Sequence, residues 1–297
     1  MDRGLARGYA RTYLRNMQAW RPITEAFRKE LRRDRLFEAL DDVTFKSKPA
    51  RAMKRIRALL PKGCEAPILI GKRRGLAVVS STAIGRVGRN AIYTPGAEEC
   101  AFHEASVEMG RIIMTGKTDE RDITVTGTTA ISGHAIQRML QRGATTPETL
   151  EADVRKVLYL ADHVNWRLFC TKESEDFRDH SLLIPFRGGA LAVAYVAHNP
   201  LGGAELPDGP IWFMSIRTFL APEMLGCEEW QRMGPMEREL GDIGISEMTG
   251  LYYAEPGRSL EDLEQAWIDV IRANARPREF LDNTRTEAEP EKELELA

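Results

Sequence analysis

Between residues 3 and 41 apolar side chains recur every three or four positions, as Leu5, Tyr9, Tyr13, Met17 and Trp20, then Phe27, Leu31, Leu36 and Leu40. This is the period of an α-helix with one buried stripe. Pro22 lacks a backbone donor and crowds the preceding turn, so the pattern predicts two helices that meet there. A third helix fits 48–60, with Pro49 tolerated in its first turn. The period then shortens. Segments 67–70 and 76–80 are brief β-rich runs, and the basic turn 71–75 between them suggests a hairpin. Residues 99–115 alternate loosely and 123–128 form a Thr/Val strand, whereas 85–96, rich in glycine and proline, reads as a loop.

Two further helices follow. Ser132 is a good N-cap and Gly143 a good stop for a helix of about ten residues. The next opens at Thr146-Pro147-Glu148, with Thr as cap and Pro at the first helical position, and turns Leu150, Val154, Val157, Leu158 and Leu160 inward. Segments 182–186 and 190–196 read as strands joined through Arg187-Gly188-Gly189, a hairpin turn. Residues 199–210 are a loop and 211–220 another strand. Segments 222–240 and 259–273 are again helical, and the tail from Thr284 has the composition of a disordered segment. The fold class expected is α+β: N-terminal helices, a helix–helix–antiparallel-sheet unit, a helical C-terminal part and an acidic tail. The divisions are 1–60 (basic, helical), 61–130 (β-rich), 131–220 (helix–helix–sheet), 221–283 (helical) and 284–297 (tail).

Composition narrows the function classes. The 297 residues are 43% hydrophobic and 29% charged, as in an ordinary globular chain. Every apolar run is broken by a charge well short of a membrane span, and the N-terminus has no apolar core segment of a signal peptide. Cys64, Cys100, Cys170 and Cys227 form no CxxC pair, which suits reduced thiols in a cytoplasmic protein. His103, His134, His163, His180 and His198 lack metal-ligand spacing, and no phosphate-cradling glycine loop occurs. The small net charge hides an asymmetry. Residues 1–90 hold 22 Lys and Arg against 8 Asp and Glu, so the remainder is acidic. Arg3, Arg7, Arg11 and Arg15 repeat every four residues as one stripe, and Lys72, Arg73 and Arg74 fill the basic turn. Both fit a phosphate backbone, or else solvated faces neutralised by the acidic half.

The segment 132–142 carries the most chemistry. On a helix, His134, Arg138 and Arg142 share one face, while Ile136, Met139 and Leu140 point elsewhere. An imidazole near a helix N-terminus is kept neutral by the dipole, as a general base requires. Two guanidiniums further along are placed to clamp a phosphate and stabilise developing charge. Such a face is equally at home on any exposed helix. His180, between Asp179 and Ser181, reads as a turn histidine with a second acid/base role as its alternative, and His163 reads as structural at a helix end.

The pattern Ser132-x-His134-Ala135-x-x-Arg138-Met139-x-x-Arg142-Gly143, followed by a Thr/Pro/Glu-started helix, resembles the opening of small domains grouped with the barnase, RelE, EndoU and colicin-type ribonuclease toxins. The resemblance spans 131–220. It implies a helical lead, an antiparallel sheet, and RNA cleavage by a hydrolase that uses neither metal nor cofactor. It also places a polar or Thr residue of the last strand at the site: Ser215, Arg217 or Thr218. Strand alternation sets Ser215 and Arg217 on one side, and Met214, Ile216 and Thr218 on the other, which favours Ser215 and Arg217 as site residues. Residues 161–180 read as an insertion relative to that pattern.

Two functional readings follow. One is a metal-independent endoribonuclease of the toxin or effector type, with RNA as substrate and a protein partner or antidote. The other is a non-catalytic nucleic-acid-binding or scaffold protein in which the same helix merely supports the sheet.

Overall fold

A computed structural model describes residues 1–17, 33–45, 49–60, 62–73, 76–91, 103–117, 121–169, 180–198, 211–240 and 260–277. Along these, the chain forms α1 (Arg3–Asn16), α2 (Arg33–Phe45) and α3 (Pro49–Leu59), then β1 (Ile68–Arg73), β2 (Leu76–Ala91), β3 (His103–Lys117) and β4 (Arg121–Ser132). There follow α4 (Gly133–Gln141), α5 (Leu150–Phe169), β5 (His180–Phe186), β6 (Gly189–His198) and β7 (Ile211–Leu220). A 3-10 turn (Pro222–Met224), α6 (Cys227–Leu240), α7 (Leu260–Asn274) and the two-residue β8 (Arg276–Pro277) complete it. The fold is mixed α+β, as the periodicities predict.

The strands form one eight-stranded sheet in the order β1-β2-β3-β4-β7-β6-β5-β8. The strands of 61–130 and those of 131–220 therefore share a single sheet. Its pairs are antiparallel except for β4 and β7, which run parallel through Thr129↔Met214, Ala130↔Ser215 and Ile131↔Ile216. The sheet is mixed because the chain leaves β4 through α4 and α5 before returning, and a parallel neighbour needs such a crossover.

Side-chain alternation gives the sheet two covered faces. Val107 and Met109 of β3, Met214 and Ile216 of β7, and Leu191 and Val193 of β6 join α1, α4 and α5 in the largest apolar cluster. On the opposite face, Ile112 and Met114 of β3 pack with Val79 under α2 and α3. There, too, Leu183, Ala190 and Ala192 pack with Met233 and Trp230 of α6. Helix α7 enters the largest cluster through Trp267 and Ile271. Its end is tied to β5 by Asn274, which donates to the Leu183 carbonyl at 2.7 Å and accepts from the Leu183 amide at 2.8 Å.

Several sequence expectations shift. In α1 the buried residues are Ala6, Ala10 and Leu14, with Tyr13 and Met17 packed at the margin, while Leu5 (61% exposed) and Tyr9 (44%) stay outside. Small side chains let α1 lie close on its neighbour, so the alanines win the contact over the larger residues. Residues 85–91 continue β2 rather than starting a loop, because each step to Val87 pairs with β3 and the ladder resumes at Asn90↔Glu104. Helix α5 begins at Leu150, after a turn in which the Thr149 amide donates to the Thr146 carbonyl at 3.2 Å. It runs to Phe169, so residues 161–169 are helical, and His163 sits inside the helix, buried edge-on to Trp267. Lys72 and Arg73 belong to the end of β1 rather than to a five-residue turn. Pro22, Arg74, the loop 199–210 and the tail from Thr284 lie outside the described residues. Among those described, no helix is long and apolar enough to cross a membrane.

Candidate functional site

The site is built where β4 stops. Its last pair with β7 is Ile131↔Ile216, while β7 runs four residues further. Ser132 ends the strand with extended backbone and becomes the N-cap of α4, its hydroxyl accepting from the Ala135 amide at 3.0 Å. The same hydroxyl donates to the Arg217 carbonyl at 3.2 Å. Two residues on, the Phe219 carbonyl accepts from the Arg142 guanidinium. Carbonyls of alternate residues point to the same strand edge. Helix α4 therefore takes the place of a continued strand, and the side chains at its two ends satisfy the β7 edge that β4 leaves open.

Between those ends α4 buries Ala135, Ile136, Met139 and Leu140. Its C-terminus closes through Gly143 at φ +76, with the Ala144 amide on the Met139 carbonyl at 2.9 Å. A left-handed residue there is most easily glycine, which has no Cβ to clash. On the half-buried face, Arg138 Nε donates to His134 Nε2 at 3.3 Å, and Arg138 Nη1 donates to Gln141 Oε1 at 2.8 Å. An imidazole nitrogen that accepts from a guanidinium carries a lone pair, so this contact defines a neutral ring with its proton on Nδ1. Burial, and then the charge of Arg138, hold the Arg142 guanidinium below its ordinary value, with Glu223 opposing.

The predicted residues divide accordingly. His134 and Arg138 are brought together. Arg142 is one and two turns away as expected, but it is committed to the Phe219 carbonyl. Ser215 is 1% exposed and alternates with Met214 and Ile216, so it lies on the sheet face away from α4. Arg217 sits at an irregularity where Val193 pairs with Ile216 and Ala192 with Thr218, leaving Arg217 opposite no residue of β6. Beyond this bulge the alternation inverts, which corrects the expectation for Thr218. Phe219 joins Met214 and Ile216, and Thr218 shares the side of Ser215.

Helix α1 lies against α4, and the Met1 amine donates to the Gln141 carbonyl at 3.3 Å. Its N-cap is Asp2, whose Oδ1 accepts from Gly4 at 2.8 Å and Leu5 at 3.2 Å. Those amides, Leu5 first, hold the carboxyl below its usual range. Arg3, Arg11 and Arg15 are exposed and Arg7 half-buried. The side chains of Lys72 and Arg73 lie outside the described set. Among the described residues, no three His, Cys, Asp or Glu side chains are grouped to hold a metal.

Sequence reasoning missed two features. Arg111 of β3 and Asp162 of α5 form an ion pair inside the core. Glu108, also on β3, is buried with its carboxyl pushed up to about 7 by desolvation. Neither has a local motif, since each depends on what lies across the sheet. No family model, curated protein or solved structure matches this chain.

Proposed function

We propose that the half-buried face of α4 that carries His134 and Arg138 cleaves RNA by attack of the ribose 2′-hydroxyl on its own phosphodiester, without a metal. The Arg138–His134 contact carries this reading. It sets a neutral imidazole beside a guanidinium within one helical turn, the pair that proton abstraction and phosphate binding require. A phosphate that draws Arg138 away frees His134 Nε2 to take the hydroxyl proton. The exposed arginines of α1, on the helix next to α4, extend the basic surface along which RNA would lie.

A second reading has its own support. Ser132 and Arg142 are spent on β7 edge carbonyls, as befits a helix whose work is to close the sheet. In that case the protein binds nucleic acid or a protein partner without cutting. The deciding experiment is incubation of the protein with total RNA in excess EDTA, beside a His134→Ala/Arg138→Ala variant of matched circular dichroism. Cleavage by the wild type alone, leaving 2′,3′-cyclic ends, supports the nuclease. Equal behaviour of both proteins supports the second reading.

A further inference from the structure

Helix α1 has an apolar side that neither the core nor the RNA reading uses. Among the described residues, four large hydrophobic side chains are exposed: Met1, Leu5, Tyr9 and Met224. Leu5 and Tyr9 stand one turn apart on α1, and Met1 lies just ahead of it. Single exposed hydrophobics need no explanation, whereas three gathered at one helix do.

The packing of α1 fixes where this side points. Ala6, Ala10 and Leu14 are buried in the largest apolar cluster. By helical spacing, Leu5 and Tyr9 lie on one flank of the outward direction, and Arg7, Arg11 and Arg15 on the other. Gly4 and Gly8 fall between the flanks, and a Cβ at Gly8 would meet nothing within 4 Å. The helix therefore turns outward a front with an apolar flank, a basic flank and bare backbone between them. No acidic residue lies within α1, and the carboxyl of Asp2 ahead of it accepts from the Gly4 and Leu5 amides. Arg3, Arg7, Arg11 and Arg15 have no ion-pair partner among the described residues. The front is thus cationic although the whole chain carries a net charge of -2.

These observations select what the front meets. A second copy of α1 would set its own arginines against these, with no acid within the helix to offset them. A nucleic acid answers the arginines and leaves Leu5 in water. A bilayer with anionic headgroups answers both flanks at once: its phosphates and carboxylates meet the guanidiniums, and its acyl boundary takes up Leu5 and Tyr9. Tyrosine suits that depth, since its ring is apolar and its tip polar. A helix lying in the plane of the surface needs neither the length nor the uniform apolarity of a membrane span, which no described helix has.

We propose that α1 docks the protein on anionic lipid membranes through Leu5, Tyr9 and the arginines beside them. The inference is separate from RNA cleavage, which rests on His134 and Arg138. On lipid, α1 withholds its arginines from RNA, so one molecule does not use them for both at once.

The test is sedimentation of the whole protein with phosphatidylcholine vesicles holding about 25% phosphatidylserine, beside vesicles of phosphatidylcholine alone. The wild type should bind the anionic vesicles at least tenfold more strongly than the neutral ones, and added salt should weaken that binding. Leu5→Ala/Tyr9→Ala, in which alanine keeps the helix, should lose at least fivefold, and Arg11→Gln/Arg15→Gln at least as much. Failure of the wild type to sediment with anionic vesicles overturns the proposal, and so does equal binding to neutral ones. Loss on arginine replacement with none on replacing Leu5 and Tyr9 also overturns it, because arginines alone serve any polyanion, RNA included. The wild-type arms decide the matter even if a variant does not fold.

Discussion

Arg111 reaches from the middle of β3 to Asp162 on α5, donating from Nε to Oδ2 at 2.7 Å, with both side chains 2% exposed. The second donor, Nη2, converges on the same oxygen. The pair crosses the interface between the sheet and its longest helix, where the flanking contacts are apolar. Such a pair adds little net stability, since desolvating two charges offsets most of their attraction, but removing one partner strands the other. Arg111→Leu or Asp162→Leu alone should each cost about 3–5 kcal/mol in urea unfolding. The double variant should recover most of that loss. A double variant as unstable as the sum of the singles would mean that the pair earns its place by attraction.

Glu108 makes the fold pH-sensitive in a predictable direction. Its native carboxyl titrates near 7, raised by burial from an ordinary 4.5. The native state then holds a proton that the unfolded chain has already lost between those values, so stability falls as pH rises from about 4.5 to 7 and the penalty is complete above 7. At 1.36 kcal/mol per unit, the effect is about 3 kcal/mol. Glu108→Gln should be more stable than wild type at pH 8 and close to it at pH 4.5.

His134 and Arg142 share a helix face but should behave oppositely when replaced. Arg142→Ala leaves the Phe219 carbonyl at an uncovered edge and should cost about 1–3 kcal/mol in thermal or urea unfolding. His134→Ala should leave stability within about 1 kcal/mol while abolishing RNA cleavage. A His134→Ala protein that still cleaves RNA removes the imidazole from the chemistry.

Arg187 is the one described non-glycine residue with positive φ, at 46° in the β5–β6 turn. Its guanidinium binds Asp153 and donates to the Ala144 carbonyl at 3.2 Å, fastening the hairpin to the first turn of α5 and to the segment before it. Arg187→Ala keeps the backbone strain and loses both contacts, and should cost about 2 kcal/mol. Arg187→Gly loses the same contacts but relieves the strain, so it should be the milder of the two by about 1 kcal/mol in the same unfolding assay.

Periodicity and punctuation made most elements legible. Ser132 and Gly143 marked both ends of α4 because capping is local, set by one hydroxyl and one left-handed residue. The Arg187-Gly188 turn likewise marked the β5–β6 hairpin, and the class of fold followed from the mixture of the two periods. Where the reading failed, the deciding contact came from afar. Glycines at 85 and 88 signalled a loop, yet β3 alongside keeps the chain extended to Ala91. The apolar stripe Leu5, Tyr9 predicted the buried side of α1, yet close packing on α4 chose the alanines.

The candidate site divides the same way. That His134 and Arg138 meet was readable, because residues four apart on a helix are neighbours whatever surrounds them. That Ser215 turns away from them, and that Thr218 changes side, required the parallel insertion of β7 beside β4 and the bulge at Arg217. The strand pairing that places Glu108 across Ala130 from Ser215 joins residues more than a hundred positions apart. The sequence by itself determined the local elements, their caps and the chemistry along one helix face, since those depend on neighbours within a few residues. Only the tertiary structure decided strand order, which arginine is spent on backbone and which carboxyl is buried, because each is set by the burial and pairing of groups that chain order does not bring together.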